Sequence, residues 1–512
     1  METNNLSQKI IKNTIFNIIG RFLGVLVVLF LTPYIIRHIG IERFGIWAII
    51  GVITGYFGLL DFGIGASFVK YISEFYTKKD YEKINQVVNT GFVFYSIFAI
   101  LIITLAFFII NPLLTFFKIP AYLHNESLFV FLLGITLFGI SNAISPFAAI
   151  QSGLQRMDIT NKVSIAISIP TIAGTIFFLE GGYGLPGLMV NNAIILLISS
   201  ITNLIIAFKI LPELKFNLFS FSRKMFKKLF SFGYKVQIST IASLFHFQLD
   251  KILLAYFLNI GVVAYYEVAA QLASKARAIP LLLISAIFPA ASELEAKADK
   301  ETLHELYFRS LKYVILVGLP SSLLIILIAN PFITLWLGKG YEKSALTLQI
   351  LTVAYLFNII TGPGFFILNG IGKPQYAMKT SILAILLNLF LSILLVIKIG
   401  YFGVVIGTLT AMIITAGYFV TITHRVMDIP FWKICSKIFL KPLIASCISC
   451  SVIHVLIKQM DRIGWFGLIA TGFLYFALFI LIILITNYLD EFDKSLVNKY
   501  SPIRLFKVKQ ER

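Results

Sequence analysis

Cysteine is nearly missing from this chain: Cys435, Cys447 and Cys450 are the only three, all in or beside one apolar stretch. An odd count with no second pair and no nearby histidine cluster excludes a disulfide framework and offers no zinc or redox pattern, so these residues are expected to pack as small buried side chains. Charge is scarce as well, at 13% of residues, and acidic charge scarcest, with 24 Asp and Glu against 43 Lys and Arg. No G-x-x-x-x-G-K-[ST] occurs, which excludes a P-loop nucleotide hydrolase within these residues. Long polar segments are missing too. Between successive apolar stretches the longest piece is about 210–229, and 330–345 is among the next longest, too short to hold a catalytic or nucleotide-binding domain.

What fills the chain is hydrophobic side chains, 58% of it, more apolar surface than a water-soluble domain can bury. Stretches of about 20 apolar residues, the length that crosses about 30 Å of hydrocarbon, number fourteen. They run over 13–36, 43–69, 86–110, 126–151, 160–179, 185–209, 230–257, 261–289, 306–329, 346–370, 376–397, 402–424, 436–457 and 464–487. The expected fold is therefore an all-α integral membrane protein of about 14 transmembrane helices. The N-terminal stretch lacks a small-residue cleavage site and is expected to remain as an anchor.

A formal charge of +19 raises the question of nucleic acid, but the distribution answers it. If the N-terminus is cytoplasmic, 30 of the 43 Lys and Arg lie in or near inside segments, 8 lie near outside ones, and 5 lie within spans. That is the positive-inside asymmetry. It predicts cytoplasmic termini and no nucleic-acid partner. The run Arg223, Lys224, Lys227 and Lys228, with Phe226, Leu229 and Phe230 on its other side, reads as an interfacial helix or as a solvated linker.

The chain also repeats itself. Pro146, Gly153, Arg156, Lys162, Ser164 and Ile165 recur 217 positions on as Pro363, Gly370, Lys373, Lys379, Ser381 and Ile382. Ile39, Gly40, Phe44 and Ala48 match Ile260, Gly261, Tyr265 and Ala269, and Tyr183-Gly184 matches Phe402-Gly403. A unit of this length is no solenoid repeat, and in a hydrophobic chain it implies two pseudo-symmetric six-helix lobes with an axis along the membrane normal. The expected boundaries are lobe 1–210, a cytoplasmic linker 211–229, lobe 230–425, two further spans within 426–487 and a basic cytoplasmic tail 488–512.

Ionisable residues inside spans cost about 2.5–3.5 kcal/mol each on insertion scales, so they are expected to face a partner or a wet cavity. Here they concentrate in the first two helices of each lobe. Arg21, Lys235, Lys251, Lys275 and Arg277 are candidates for a cationic cavity that receives a phosphate-bearing head group. Asp61, His246, Asp250 and Glu267 are candidates for coupling an ion, with His246 and Asp250 four residues apart on one helix face. The competing expectation is structural ion pairing, Asp250 with Lys275 or Glu267 with Lys251. Pro146, Gly362, Pro363 and Gly364 mark places where helices could break and line a cavity, or simply kink to pack. No metal or cofactor pattern is present; a coupling ion, H+ or Na+, is the one small partner expected.

The run Phe44-Gly45-Ile46-Trp47, Tyr56, Leu60-Asp61-Phe62-Gly63-Ile64-Gly65, Lys70 and Ser73 resembles the opening helices of bacterial polysaccharide-biosynthesis flippases. Leu249-Asp250-Lys251 with Gly261, Tyr265 and Ala269 is similar to the start of their second lobe. These flippases belong to the multidrug, oligosaccharidyl-lipid and polysaccharide exporter superfamily. The resemblance implies no enzyme. It implies a carrier of undecaprenyl-pyrophosphate-linked oligosaccharide from the inner to the outer leaflet, for O-antigen, capsule or exopolysaccharide assembly. Membrane lipids are implied neighbours, with a polysaccharide polymerase and chain-length machinery as possible partners. A lipid II flippase or a multidrug cation antiporter of the same superfamily stays open, and so does, further off, a membrane polymerase or ligase.

Overall fold

The computed structural model describes residues 2–58, 63–154, 156–217, 221–284, 287–429, 435–459 and 464–500, with most of their side chains from Val27 onward. Those residues form sixteen α-helices and no strand. In order they are α1 (Glu2–Phe57), α2 (Ile64–Thr77), α3 (Tyr81–Phe116), α4 (His124–Gly153), α5 (Met157–Glu180), α6 (Gly184–Ile210), α7 (Arg223–Phe257) and α8 (Ile260–Leu282). There follow α9 (Ile287–Ala296), α10 (Lys300–Leu337), α11 (Glu342–Gly370), α12 (Gln375–Ile399), α13 (Tyr401–Met427), α14 (Leu440–Gln459), α15 (Trp465–Ile485) and α16 (Glu491–Tyr500). A backbone crossing hydrocarbon must satisfy its own polar groups, and an apolar chain does so as helix.

Eleven helices among the described residues are long and apolar enough to cross a membrane, against fourteen expected. α7 and α8 are long enough but fall outside the eleven; they carry Asp250, Lys251, Glu267, Lys275 and Arg277. The first two expected stretches are joined in α1, which turns at Gly40 with φ 80° and ψ 170°, a conformation open to glycine alone. The second stretch then stops at Phe57, and α2 begins after Gly63, whose φ of 68° is left-handed. The expected eighth stretch likewise divides into α8 and α9.

The chain divides into two compact units, Met1–Glu267 and Val268–Arg512. In the first, α4 packs on α3, α6 and α2, α5 on α6 and α1, and α7 on α2, α3 and α1. The linker before α7 is hooked to α3: Asn85 and Asn89 hold the backbone of Glu213, Lys215 and Asn217 at 2.8–3.1 Å, and Thr90 accepts from the Ser222 N–H at 3.1 Å. Ser222 caps α7 by accepting from the Met225 N–H. The basic run 223–228 is therefore the opening of α7. Leu229 is fully buried there, and the Phe226 ring lies 5.2 Å from that of Phe94 on α3.

In the second unit α11 is central, packed on α10, α13 and α9, while α12 pairs with α13. α14 and α15 pack on α10 through Leu324, Ile453 and Tyr475 and through Leu316, Ala445 and Phe479. Of the C-x-x-C pair, Cys447 is exposed and Cys450 only half-buried, so the expected burial fails for Cys447, which lies on the outward face of α14 among Leu443, Ile444 and Ile448. The sequence repeat lands on matching features: α4 ends at Gly153 and α11 at Gly370, each seven residues after its proline. Short polar contacts hold the helix hairpins. Asn191 donates to Thr175 at 3.2 Å between α6 and α5, and Asn388 donates to Thr408 at 3.1 Å between α12 and α13.

Outward faces are apolar, with Phe108, Phe473 and Phe466 between 76% and 86% exposed. In water such surface would drive aggregation; against lipid tails it costs nothing.

Candidate functional site

The α7–α8 hairpin carries buried charged side chains. Its two helices are joined by Leu258 and Asn259, and the Asn259 side chain accepts from the Val262 N–H at 3.1 Å, which fixes the start of α8. Successive residues of α7 then face successive residues of α8. Asp250, 2% exposed, accepts a hydrogen bond from the Tyr266 hydroxyl, and Lys251, 7% exposed, forms an ion pair with Glu267. Tyr56, near the end of α1, lies within electrostatic reach of Asp250.

Two residues proposed for different tasks are thus joined. Lys251 was a head-group candidate and Glu267 an ion-coupling candidate, and each neutralises the other. Asp250 accepts from a neutral phenol at Oδ2. Buried beside the Lys251–Glu267 pair, either acid could exchange a proton or cation if the hairpin opened.

In the second unit Arg277 stands apart from this set. Its Nη1 donates to the Asn358 side-chain oxygen at 2.8 Å, and its guanidinium lies 5.5 Å from the centre of the Tyr355 ring. Both partners are on α11, one to two turns before Pro363, so a half-buried cation sits on the helix that carries the Gly362-Pro363-Gly364 run. Lys275 is exposed.

The proline and glycine positions are packing points. α4 and α11 run through Pro146 and Pro363 as continuous helices, and all four residues Pro146, Gly362, Pro363 and Gly364 are buried. A Cβ at Gly362 would meet Leu281 at 2.7 Å, and one at Gly364 would meet Thr423 at 2.9 Å. Close approach is what the small residues permit here. Asp61 and the side chains of Arg21, Lys235 and His246 lie outside the described residues.

Sequence reasoning missed Tyr266, Asn358 and Tyr355. Each is a neutral residue whose role depends on which helix faces it, and among 22 tyrosines in this chain nothing in the pattern singles out these two.

One end of the first unit holds a second polar set. Arg43 donates to both carboxylate oxygens of Glu126 at 2.8 and 2.9 Å, Tyr122 donates to Glu42, and Tyr34 donates to Glu180 at 2.6 Å. These contacts tie α1 to the starts and ends of α4 and α5.

The described residues form a multi-pass fold of apolar helices with charged side chains buried among them. The chain belongs to the polysaccharide biosynthesis protein family, which it matches over residues 10–295, and it matches the MatE family over residues 236–394. It is 24% identical over 416 residues to a Shigella flexneri protein named as a candidate O-antigen transporter, covering 80% of this chain and 96% of that one. It is 21% identical over 411 residues to Haloferax volcanii Agl15, named as a candidate low-salt glycan biosynthesis flippase, covering 79% and 80%. Its fold is that of the lipid II flippase MurJ in an inward closed conformation, with TM-score 0.70 and 18% identity over 95% of this chain and 100% of that one. An inward-facing multidrug resistance MATE family transporter also matches, at TM-score 0.62 and 16% identity over 81% and 94%. The chain is a flippase or transporter of the multidrug, oligosaccharidyl-lipid and polysaccharide exporter superfamily, and not an enzyme.

Proposed function

We propose that this protein flips a polyprenyl-pyrophosphate-linked oligosaccharide, in bacteria an undecaprenyl-linked one, from the cytoplasmic to the outer leaflet of the cytoplasmic membrane for polysaccharide assembly. The observation that carries this reading is the family match over residues 10–295, supported by two relatives whose names specify O-antigen or glycan transport. Six-helix lobes at 1–210 and 230–425 would rock about the substrate in alternating access, with the sugar-pyrophosphate head in a wet cationic cavity and the polyprenyl tail left in lipid. Arg277, with Arg21, Lys235 and Lys275, would receive the pyrophosphate, because guanidinium and ammonium groups form charge-assisted hydrogen bonds to phosphate oxygens. Asp250 and the Lys251–Glu267 pair, with Asp61 and His246, would couple H+ or Na+ entry to the return stroke.

The test is a leaflet-resolved assay of lipid-linked oligosaccharide in cells lacking the protein, with polymer formation followed in parallel. Repeat units held on the cytoplasmic leaflet with loss of polymer are expected. Normal arrival on the outer leaflet would sink the reading. Accumulation of lipid II in place of repeat units would transfer the role to peptidoglycan assembly. The coupling part is tested separately in liposomes, where transport equal with and without H+ and Na+ gradients would refute it.

A further inference from the structure

Away from the charged hairpin, the linker-side ends of α2, α4, α5 and α6 surround a cavity of about 700 Å³ lined by Tyr76, Leu154, Arg156, Ile159, Ile206, Lys209 and Ile210. Its walls are divided by chemistry. Leu154, Ile159, Ile206 and Ile210 make one side apolar, while Arg156, Lys209 and the exposed phenol of Tyr76 supply the polar groups. No acid lines it. Arg156 does have an acidic neighbour, donating from Nε and Nη2 to Asp158 at 3.2 and 3.5 Å. A guanidinium has five N–H donors in all, so its other edge still carries donors for a second anion. Lys209 lies in the last turn of α6 and is exposed.

We propose that this cavity binds the phosphate of a membrane lipid, with Arg156 and Lys209 on the phosphate oxygens and the four aliphatic residues against the glycerol and first chain carbons. Three features of the cavity converge. Its lining lies at the ends of membrane-crossing helices, the depth at which head groups lie. Its charge is cationic without an acid in the wall. Its apolar side would contribute nothing to a soluble anion but removes a lipid's chain from water. Two sources share that chemistry, a bilayer phospholipid such as phosphatidylglycerol and the pyrophosphate lipid that the transporter is proposed to carry. The site is independent of which substrate is moved, since it rests on this cavity alone.

Native mass spectrometry of the purified full chain in detergent, titrated separately with phosphatidylglycerol, undecaprenyl pyrophosphate, phosphatidylcholine and inorganic pyrophosphate, tests it. A cation near a head group contributes about 1 kcal/mol, so Arg156→Gln should weaken binding about fivefold and the pair R156Q/K209Q about thirtyfold. The exposed pair K297Q/K300Q controls for loss of two charges and should leave binding unchanged. Loss in the phosphatidylglycerol arm supports a structural lipid, and loss confined to the undecaprenyl pyrophosphate arm supports a loading site for substrate; both are phosphate-lipid sites. Unchanged lipid binding by R156Q/K209Q overturns the proposal. So does inorganic pyrophosphate binding as tightly as either lipid, because the apolar wall would then have no role.

Discussion

Removing Lys251 alone should damage the protein more than removing Lys251 and Glu267 together. The two side chains are 9% and 12% exposed, so neither is well placed to recover its hydration if the other is lost. Lys251→Met keeps the apolar stem and deletes the charge, leaving the Glu267 carboxylate without its cation. Two opposite charges about 4 Å apart attract by about 4 kcal/mol at an effective dielectric near 20. Breaking one side of a buried pair costs about 3–5 kcal/mol, while replacing both by apolar groups of similar volume is often neutral or better. K251M should therefore lose about 3–5 kcal/mol of stability, and K251M/E267M should return to within about 1 kcal/mol of the parent. Detergent-induced unfolding in mixed micelles, followed by circular dichroism, measures both. A K251M protein as stable as the parent, or a double variant as damaged as the single one, would refute the reasoning. Transport by the stable double variant then asks a different question: loss of flipping in a well-folded protein assigns the pair to the coupling step.

Arg277→Gln should abolish transport with little change in protein level, since Gln can keep a hydrogen bond to Asn358; polymer output near normal would remove Arg277 from the site. Gly63→Ala should lower folded yield, since a non-glycine residue at φ 68° costs about 1–2 kcal/mol and its Cβ would lie 2.1 Å from the Gly233 carbonyl oxygen; fluorescence-detected size exclusion checks it. Within the second unit, Lys312 pairs with Asp490 and Asp493 and so holds α16 to α10. Burial pushes the Asp490 carboxyl up, but the Asp493 N–H and Lys312 outweigh it and hold the carboxyl below its ordinary value. A depressed folded value means that the stabilisation is present above the unfolded value of about 3.9 and is lost as pH falls through the folded one. Hydrogen exchange in 491–500 should therefore accelerate only below about pH 4; acceleration already at pH 6 would refute the assignment.

The apolar stretches were legible because lipid imposes one demand on every crossing segment, a continuous internally bonded helix. Their boundaries were less so. Gly40 turns α1 and Gly63 sets the start of α2 by taking positive φ, which a hydropathy scan does not register. The charges were legible as outliers in an apolar chain, and the alternative of a Lys251–Glu267 pair was readable from helix positions alone. What the pattern could not supply was the neutral half of each contact. Tyr266, Asn358 and Tyr355 acquire their roles from facing helices, as do Asn85, Asn89 and Thr90, whose partners in the linker lie 126–132 positions away.

Those linker hooks bear on how the protein is made. α7 is a poor candidate for independent entry into a bilayer, since each of its charges resists partition by about 2.5–3.5 kcal/mol on the insertion scales. By the time it leaves the ribosome, α3 is already synthesised, presenting Asn85, Asn89 and Thr90 to the linker, and α2 presents Ser67 to the Leu229 carbonyl at 2.7 Å. The earlier helices thus act as a built-in insertion chaperone for the most polar span described, and a gene truncated or permuted between them should stall at α7.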